Sequence, residues 1–478
     1  MQFYGAAPSY DLTYSDVFLI PSRSDVGSRF EVDLSPIDGT GMTIPLVASN
    51  MNAVSGTRMA VALARRGGLA VLPQDLDRES AVDAVAWVKA QSPAWATPFD
   101  LDAATTVAQA LDVVPPVAGH AVAVTGEGER LAVFEASELG RMPSDARLGD
   151  LLHLAASTIP AESARDPRAA FDLLEELPAR FAAVEEDGAL VGALSQPDAL
   201  RSMIYRPALD AQGRVRVAAA VGINGDVVGR ARELWDAGAD VLVLDTAHGH
   251  QGTMLRALTA VREADLGVPL VAGNVVSAAG ARDLVRAGAS ILKVGVGPGA
   301  MCTTRMMTAV GRPQFSAVLE CAETAANHDA SVWADGGVRY PRDVALALAA
   351  GGSAVMIGSW FAGTVEAPGR VMVDAEGRWY KESFGMASTR AVEGRFGNLP
   401  PYERARKLLF AEGISNSTIL IDPSRPGIDD LVDMITTGVR SSCTYAGAKT
   451  LPEFHDRAKV GIQSAAGYEE GKALPVSW

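Results

Sequence analysis

Short apolar runs alternate along the chain with longer stretches in which apolar residues recur at helical spacing. Apolar runs bounded by turn signals are typical of buried strands, and their alternation with helical stretches predicts a parallel sheet with crossover helices. Several crossovers end alike, because a glycine closes the helix just before the next strand, as at Gly238, Gly288 and Gly351. The pattern predicts strands at Pro45–Ser49, Gly68–Leu72, Arg216–Val221, Asp240–Asp245, Pro269–Ala272, Ser290–Val294, Ser331–Ala334 and Ala354–Ile357.

These strands predict the fold class, an α/β protein built as a (β/α)8 TIM barrel with an inserted domain. The second and third strands are too far apart for a single crossover, and the residues between them do not follow the strand-helix alternation of the barrel. We therefore divide the chain into the first part of the barrel at 1–92, an insert at 93–207, and the second part of the barrel with a flap and a C-terminal segment at 208–478.

The insert contains two similar halves, each with a helix, a strand, a glycine-containing turn and a second strand. This order resembles a tandem pair of cystathionine-β-synthase (CBS) modules, a Bateman domain; another small regulatory insert is the alternative. The resemblance implies that the modules bind purine nucleotides, ATP or GTP, and modulate activity through differential affinity for two conformations. The helices lie at Thr105–Val114 and Asp166–Leu177, and the strands at His120–Val124, Leu131–Phe134, Ala182–Val184 and Leu190–Leu194.

Composition narrows the range of partners. The chain has 478 residues, 48% of them apolar, which predicts a globular protein of more than one domain. The formal net charge of −15 argues against nucleic acid or an anionic membrane as partner, but not against small phosphorylated ligands. No apolar run is long enough to span a bilayer, and no signal peptide opens the chain. The cysteines, Cys302, Cys321 and Cys443, have the spacing of neither a disulfide framework nor a metal site, so we expect a cytoplasmic protein.

The strongest candidate for chemistry is Cys302. The sixth predicted strand leads into Gly295, Gly297 and Gly299, and the thiol follows, with Thr304 two residues beyond it. Glycines let the backbone turn tightly and leave its amides and carbonyls free to face a ligand or an ion. A buried structural cysteine is the alternative, but such a residue does not need a glycine-rich loop. We therefore predict that Cys302 is a nucleophile.

Other polar and glycine residues follow the carboxyl ends of the predicted strands, where barrel enzymes bind and act on their ligands. Glycine amides at the seventh and eighth strand ends are suited to a phosphate, and the Asp335 carboxylate is suited to ribose hydroxyls. The strand-end residues are Ser49 and Met51, Asp245, Gly273 and Asn274, Asp335, Gly336 and Gly337, and Gly358 and Ser359.

Eight segments carry a further signal: Leu12–Pro21, Asp245–His250, Gly273–Val275, Gly297–Arg305, Asp335–Gly337, Met356–Ser359, Phe384–Met386 and Ala411–Gly413. Together they resemble the IMP dehydrogenase / GMP reductase family over nearly the whole chain. The resemblance implies that Cys302 bonds to carbon 2 of a purine nucleotide and that a nicotinamide cofactor exchanges hydride at that carbon. It also implies a homotetramer or homo-octamer.

The resemblance assigns roles to residues. It implies that Cys302, Thr304 and Glu412 are catalytic, the last two as a proton-donating pair. It places the phosphate on Gly337, Gly358, Ser359 and Gly385, the ribose on Asp335, and the base over Ser49 and Met51, with Gly336 and Met386 completing the substrate site. The nicotinamide is expected near Asp245, Gly273 and Asn274. The backbone carbonyls of Gly297, Gly299 and Cys302 are candidate ligands of K⁺, with plain turn formation as the alternative.

Three features favour the reductase branch, which converts GMP to IMP and ammonia with NADPH in purine salvage. The run Pro313–Glu323 and the run Arg440–Gly447 resemble reductases. Dehydrogenases use an adjacent Arg-Tyr pair on a flap to activate water, and no such dipeptide occurs between Met386 and Glu412. Without activated water, the covalent intermediate waits for hydride.

Three features point the other way. The inserted modules and the length of the segment between Met386 and Glu412 are typical of dehydrogenases. Gln74 stands where reductases usually carry a His-Lys-His-like run. Ala300 replaces a serine that is usual in the cysteine loop of both branches, so it removes an expected phosphate contact without separating them. A dehydrogenase that oxidises IMP to XMP with NAD therefore remains the alternative, and an inactive nucleotide sensor is a third, against which the intact Cys302 argues.

Overall fold

A computed structural model of the chain describes residues 1–383, 400–409 and 417–473. Eight parallel strands form a closed barrel in which each strand pairs with the next and the last with the first, confirming the predicted architecture. The barrel strands are β1 Leu46–Ala48, β2 Leu69–Leu72, β3 Ala218–Val221, β4 Val241–Asp245, β5 Leu270–Val275, β6 Ile291–Val294, β7 Ser331–Asp335 and β8 Ala354–Ile357.

Helices cover the outside of the barrel. Each predicted strand is present, with ends that move by a few residues. The largest change is at β5, which continues past Ala272 because Gly273 pairs with both Asp245 of β4 and Lys293 of β6. The outer helices are α1 Thr57–Arg65, α2 Arg78–Lys89, α3 Val227–Asp236, α4 Gly252–Glu263, α5 Ala278–Ala287, α6 Gln314–Ala326, α7 Pro341–Ala349 and α8 Ile428–Ala446.

Alternation along the strands divides the core into two layers. One cluster fills the barrel interior and includes Val71, Val243 and the fully buried Trp333. The indole Nε1 of Trp333 donates to Asp38 Oδ2 at 3.0 Å, so its polar atom is satisfied. The alternate residues, such as Leu72 and Leu244, pack outward against the helices.

The insert consists of two three-stranded sheets with one shared topology. In each sheet the first strand pairs parallel with the second, and the second pairs antiparallel with the third. The sheets pack face to face through a cluster that includes Val133 and Phe181. The strands are Phe99–Asp102, Ala121–Gly126 and Glu129–Glu135 in the first half, and Ser157–Pro160, Phe181–Glu186 and Ala189–Ser195 in the second; the helices are Val107–Leu111, Ala161–Ala164, Pro167–Glu175 and Gln196–Ile204.

Ion pairs attach the insert to the barrel. Arg66, which is 6% exposed at the end of α1, pairs with Asp198 of the insert and, at 2.8 Å, with Asp429 in the first turn of α8. Arg201 of the insert pairs with Asp430 and Asp433, both at 2.9 Å. Because these charges are partly buried, they are screened less than surface pairs and define how the insert docks.

The remaining strands lie outside the barrel and the insert. One sheet combines the N-terminal strands with a strand near the C-terminus. Another combines the two strands that precede residues 384–416, which we call the flap, with the strand that follows them. Within the described ranges, no helix has the length and apolar character needed to cross a bilayer. These elements are strands Gln2–Phe3, Val17–Ile20, Lys459–Ile462, Met372–Val373, Trp379–Ser383 and Ser417–Ile421, and helices Thr304–Thr308, Ser359–Ala362, Pro401–Leu409, Leu451–Arg457 and Ala465–Glu470.

Candidate active site

The loop that follows β6 depends on its glycines. Gly295 has a φ of 151°, and a Cβ there would lie 2.0 Å from the Asp335 carbonyl oxygen. Gly297 has a φ of 84°, and its Cβ would lie 2.2 Å from the Arg305 Cγ. Only glycine lets the chain pass this close in these conformations. Gly299 is different, because its Cβ would meet only the Cys302 Cβ at 3.7 Å.

Cys302 is exposed at the end of this loop. Its Sγ lies 3.3 Å from the Thr304 Oγ1, and its amide donates to the Gly299 carbonyl at 3.0 Å. The thiol and the hydroxyl of these two predicted site residues are therefore neighbours. Cys321 and Cys443 are buried, and burial raises the pKa of each thiol to about 12. These two thiols therefore belong to the hydrophobic core.

A lysine that sequence analysis missed joins two predicted site residues. The Lys293 Nζ lies 2.9 Å from the Asp245 Oδ1 and 2.6 Å from the Asp335 Oδ2. Burial by itself would lower the pKa of Lys293, but the two carboxylates outweigh it and raise the pKa above its ordinary value. Asn50 was also missed; its Nδ2 donates to the Asp245 Oδ2 at 2.9 Å. The sequence signal that could have identified Lys293 is a charged residue inside an otherwise apolar strand.

Several buried side-chain oxygens have no hydrogen-bond partner among the described residues, and two of them belong to predicted site residues. They are the Oδ1 of Asn274 and the Oγ of Ser49. The Nδ2 of Asn274 donates to Asp335 at 2.9 Å, which fixes the amide with its carbonyl oxygen free. Buried polar atoms without partners are rare, so both oxygens mark places where a ligand can bond. The arrangement fits the carboxamide of a nicotinamide at Asn274.

The predicted phosphate and base residues form two groups, one packed on the cysteine loop and one where β8 meets the end of β1. The Cβ of an alanine at Gly336 or Gly337 would approach Pro298 to 3.1 or 3.3 Å, so the end of β7 packs on this loop. Gly358 precedes the Ser359–Ala362 helix, and its Cβ would lie 3.3 Å from both the Ser49 Oγ and the Met51 Sδ. Gly385, Met386 and Glu412 lie outside the described residues.

The residues that marked the reductase branch lie in packing contacts rather than beside Cys302. Glu320 accepts from Arg312 and from the Ala278 amide, both at 2.7 Å, and Arg312 also forms two bonds to Asp11. Arg440 donates to the Val32 carbonyl on the N-terminal segment. Gln74, by contrast, lies at the catalytic edge, because its Oε1 would be 3.0 Å from a Cβ at Gly222.

The fold and this edge of the barrel define the class of the protein. A closed parallel barrel that presents an exposed thiol beside polar strand ends is typical of an enzyme that acts on a small molecule through a nucleophilic cysteine. Residues 11–473 match the sequence model described as the IMP dehydrogenase / GMP reductase domain. The chain belongs to the IMP dehydrogenase / GMP reductase family, as its motifs predicted.

Relatives from both branches align over the full length. The GMP reductases of Mycobacterium bovis and Mycobacterium tuberculosis are 55% identical over 475 residues, 99% of this chain and 99% of theirs. The inosine-5′-monophosphate dehydrogenase of Halalkalibacterium halodurans is 34% identical over 469 residues, 96% of this chain and 94% of its own. A solved structure of a cysteine-to-alanine GMP reductase from Trypanosoma brucei in complex with guanosine 5′-monophosphate is similar with a TM-score of 0.70 and 31% identity, covering 99% of each chain.

Proposed function

We propose that this chain is a GMP reductase that converts GMP, a reduced nicotinamide cofactor and protons into IMP, ammonia and the oxidised cofactor. The observation that carries this proposal is full-length identity of 55% to GMP reductases, against 34% to an IMP dehydrogenase of similar coverage. The absence of an Arg-Tyr dipeptide between Met386 and Glu412 agrees with it. The inserted modules, which had favoured a dehydrogenase, do not separate the branches, since the mycobacterial reductases align across them.

In the proposed reaction, the Cys302 thiolate forms a bond to carbon 2 of GMP. The 2-amino group takes up a proton and leaves as ammonia, and a covalent thioimidate remains. Hydride then adds to carbon 2, the bond to Cys302 breaks, and IMP is released. The Thr304 Oγ1, 3.3 Å from the sulfur, is placed to pass a proton to the departing amino group. Glu412 is its proposed partner.

Ligand positions follow from the strand ends. The phosphate binds the amides of Gly337, Gly358 and Ser359, the ribose binds Asp335, and the base lies over Met51. The close packing of the end of β7 on the cysteine loop supports this assignment, because a nucleotide held at β7 would lie beside that loop. Gly385 and Met386 complete the site in the proposal.

The reduced nicotinamide supplies the hydride, and we propose NADPH. Asp245 and Asn274 line its place, together with the backbone of Gly273. The unpartnered Asn274 Oδ1 supports this, since it can accept from a carboxamide. Measuring KM with NADPH and with NADH tests the choice, and an equal or lower KM for NADH would contradict it.

Absorbance of the reduced nicotinamide distinguishes the three candidate functions. With GMP and NADPH we expect the signal to fall while IMP and ammonia accumulate in equal amounts. A rise with IMP and NAD, together with XMP, would instead identify a dehydrogenase. No change in either mixture would leave a nucleotide sensor as the function.

We also propose that the carbonyls of Gly297, Gly299 and Cys302 bind K⁺. Carbonyl oxygens suit this ion, and the positive φ of Gly297 gives the loop a tight turn that a residue with a side chain rarely adopts. The Gly299 carbonyl already accepts the Cys302 amide and has a second lone pair to offer. Rates in KCl and in LiCl at equal ionic strength test the site, and equal rates would remove K⁺ from the proposal.

The insert, residues 93–207 between barrel parts 1–92 and 208–478, is proposed to be a pair of CBS modules that bind a purine nucleotide. Its repeated topology supports this, as does a cavity of about 290 Å³ in the second half, lined by Trp95, Arg165 and Glu186 among others. An aromatic ring and a guanidinium suit a base and a phosphate. Titration with ATP and with GTP tests binding; no heat with either would contradict it.

A series of contacts leads from the insert to the strand Trp379–Ser383 and on to the cysteine loop. The His120 Nε2 lies 3.5 Å from the Glu366 Oε1, and Glu366 accepts the Ile428 amide at 2.8 Å. The neighbouring Val365 carbonyl accepts from the buried Lys381, on the strand that precedes the flap, at 3.1 Å. That strand pairs with Ser417–Ile421, whose first residue lies 3.5 Å from the sulfur of Met301.

Replacing His120 with alanine is expected to reduce the nucleotide's effect on the rate by about half or more. The reason is that the variant loses the contact with Glu366, which in the proposal differs in strength between the nucleotide-bound and nucleotide-free conformations. Rates with and without ATP or GTP measure the effect. The exposed His153 of the same insert is the control and should retain the full response when replaced by alanine. An unchanged response in the His120 variant would remove this contact from the coupling.

Assembly and location are proposed from the family and the cysteines. We propose a homotetramer or homo-octamer, with the subunit count read from light scattering; a monomer would contradict it.

We place the protein in the cytoplasm, because its cysteines are unpaired. Cell fractionation tests this, and recovery outside the cytoplasm would overturn it.

A further inference from the structure

The side chain of Lys293 extends across the inside of the barrel near the carboxyl ends of its strands. Its side chain is 5% exposed and reaches carboxylates on two strands that are not neighbours, Asp245 on β4 and Asp335 on β7. Among described residues, it is the cation that the structure places between these two charges. Two carboxylates this close to one ammonium group are each held in one position by a charge-assisted hydrogen bond.

Gly273 makes this reach possible. In the sheet register Asp245 pairs with Gly273, and Gly273 pairs with Lys293, so the three residues lie at one level of the barrel. A Cβ at Gly273 would lie 2.6 Å from the Lys293 Cβ and 2.4 Å from its carbonyl oxygen. The missing side chain of β5 therefore leaves room for the lysine to pass from β6 to Asp245.

Each carboxylate has a second, separate support. The Asn50 Nδ2 donates to Asp245 at 2.9 Å, and the Asn274 Nδ2 donates to Asp335 at 2.9 Å. We call Asp245 with Asn50 the cofactor half-site and Asp335 with Asn274 the nucleotide half-site. Lys293 is the residue that connects them. If its charge is removed, two partly buried carboxylates lose their counter-charge and repel each other across the place where hydride must move.

We propose that Lys293 is a positioning residue that fixes the nucleotide carboxylate Asp335 and the cofactor carboxylate Asp245 relative to each other. This inference rests on the proposed function for the assignment of the two half-sites. Its consequence is that both ligands, rather than one, depend on Lys293. A further consequence is that Asp245, which does not touch GMP in the proposal, affects GMP binding through the lysine.

Replacing Lys293 with methionine is expected to raise KM for GMP and KM for the nicotinamide by about tenfold each, since each half-site loses a charge-assisted bond. Lys293→Arg should recover part of both, because it keeps the charge. Lys89 is the matched control: it is equally buried and bridges Asp210 at 2.8 Å and Asp240 at 2.9 Å, away from the site. Lys89→Met should lower stability without changing either KM.

A second measurement does not depend on turnover. Calorimetric titration of Asp245→Asn with GMP alone should show binding several-fold weaker than in the wild type. Unchanged GMP binding, or a Lys293→Met variant in which one KM or neither changes, would overturn the inference. If Lys293→Met does not fold, the Asp245→Asn titration decides the question. A wild type without turnover would count against the proposed function, whereas the titration would still test the coupling.

Discussion

Replacing Cys302 with alanine is expected to abolish turnover, by on the order of 10⁴-fold or more, while the fold is retained. The sulfur is exposed at the end of a loop, so its loss leaves no cavity in the core. Without the thiolate, the bond to carbon 2 cannot form, and neither the loss of ammonia nor the hydride step has its intermediate. Initial rates with GMP and NADPH measure the effect, and circular dichroism checks the fold.

The buried thiols are the control for this experiment. Cys321→Ala and Cys443→Ala remove sulfur atoms from the core, so they should lower the free energy of unfolding and leave kcat within about twofold. Calorimetry should show that the Cys302→Ala variant still binds GMP, because phosphate and ribose contacts remain. Turnover that survives in Cys302→Ala would refute the covalent route.

Replacing Gly295 with alanine is expected to reduce activity by more than about a hundredfold and the free energy of unfolding by about 3 kcal/mol or more. The φ of 151° is one that side chains rarely adopt, and the new Cβ would lie 2.0 Å from the Asp335 carbonyl oxygen. Relief of this clash must move β6 away from β7. That movement displaces the Cys302 loop from the strand end that carries Asp335.

Gly299→Ala is the matched control, since its Cβ meets only the Cys302 Cβ at an ordinary 3.7 Å. It should retain the wild-type free energy of unfolding and most of the activity. Denaturant unfolding and initial rates on the same preparations compare the two variants. If Gly295→Ala were as stable and active as Gly299→Ala, the close packing of this loop on β7 would be wrong.

Much of the fold was predictable because the barrel strands are nearly all apolar. Val241–Asp245 and Ile291–Val294 are buried runs between helical stretches, and a glycine such as Gly288 marks where a helix closes. Their ends were less predictable. The extension of β5 to Val275 depends on pairing with Asp245 and Lys293, and such partners are not visible in a local pattern.

The site was predictable where barrel geometry fixes the edge on which a residue lies. Cys302, Thr304 and Asp335 follow strand ends, and the structure brings them to one side of the barrel. Lys293 and Asn50 were missed because their importance lies in partners on other strands. The runs around Glu320 and Arg440 indicated the branch correctly as patterns, although the structure uses them for packing.

The sequence by itself determined the barrel, the insert between β2 and β3, the glycine-rich cysteine loop and the family, because periodicity and motifs are properties of neighbouring residues. Only the tertiary structure decided that one buried lysine joins Asp245 to Asp335, and that Gly295 and Gly273 are needed for close strand contacts. The physical reason is that charge pairing and steric clearance depend on distances between residues far apart in the chain.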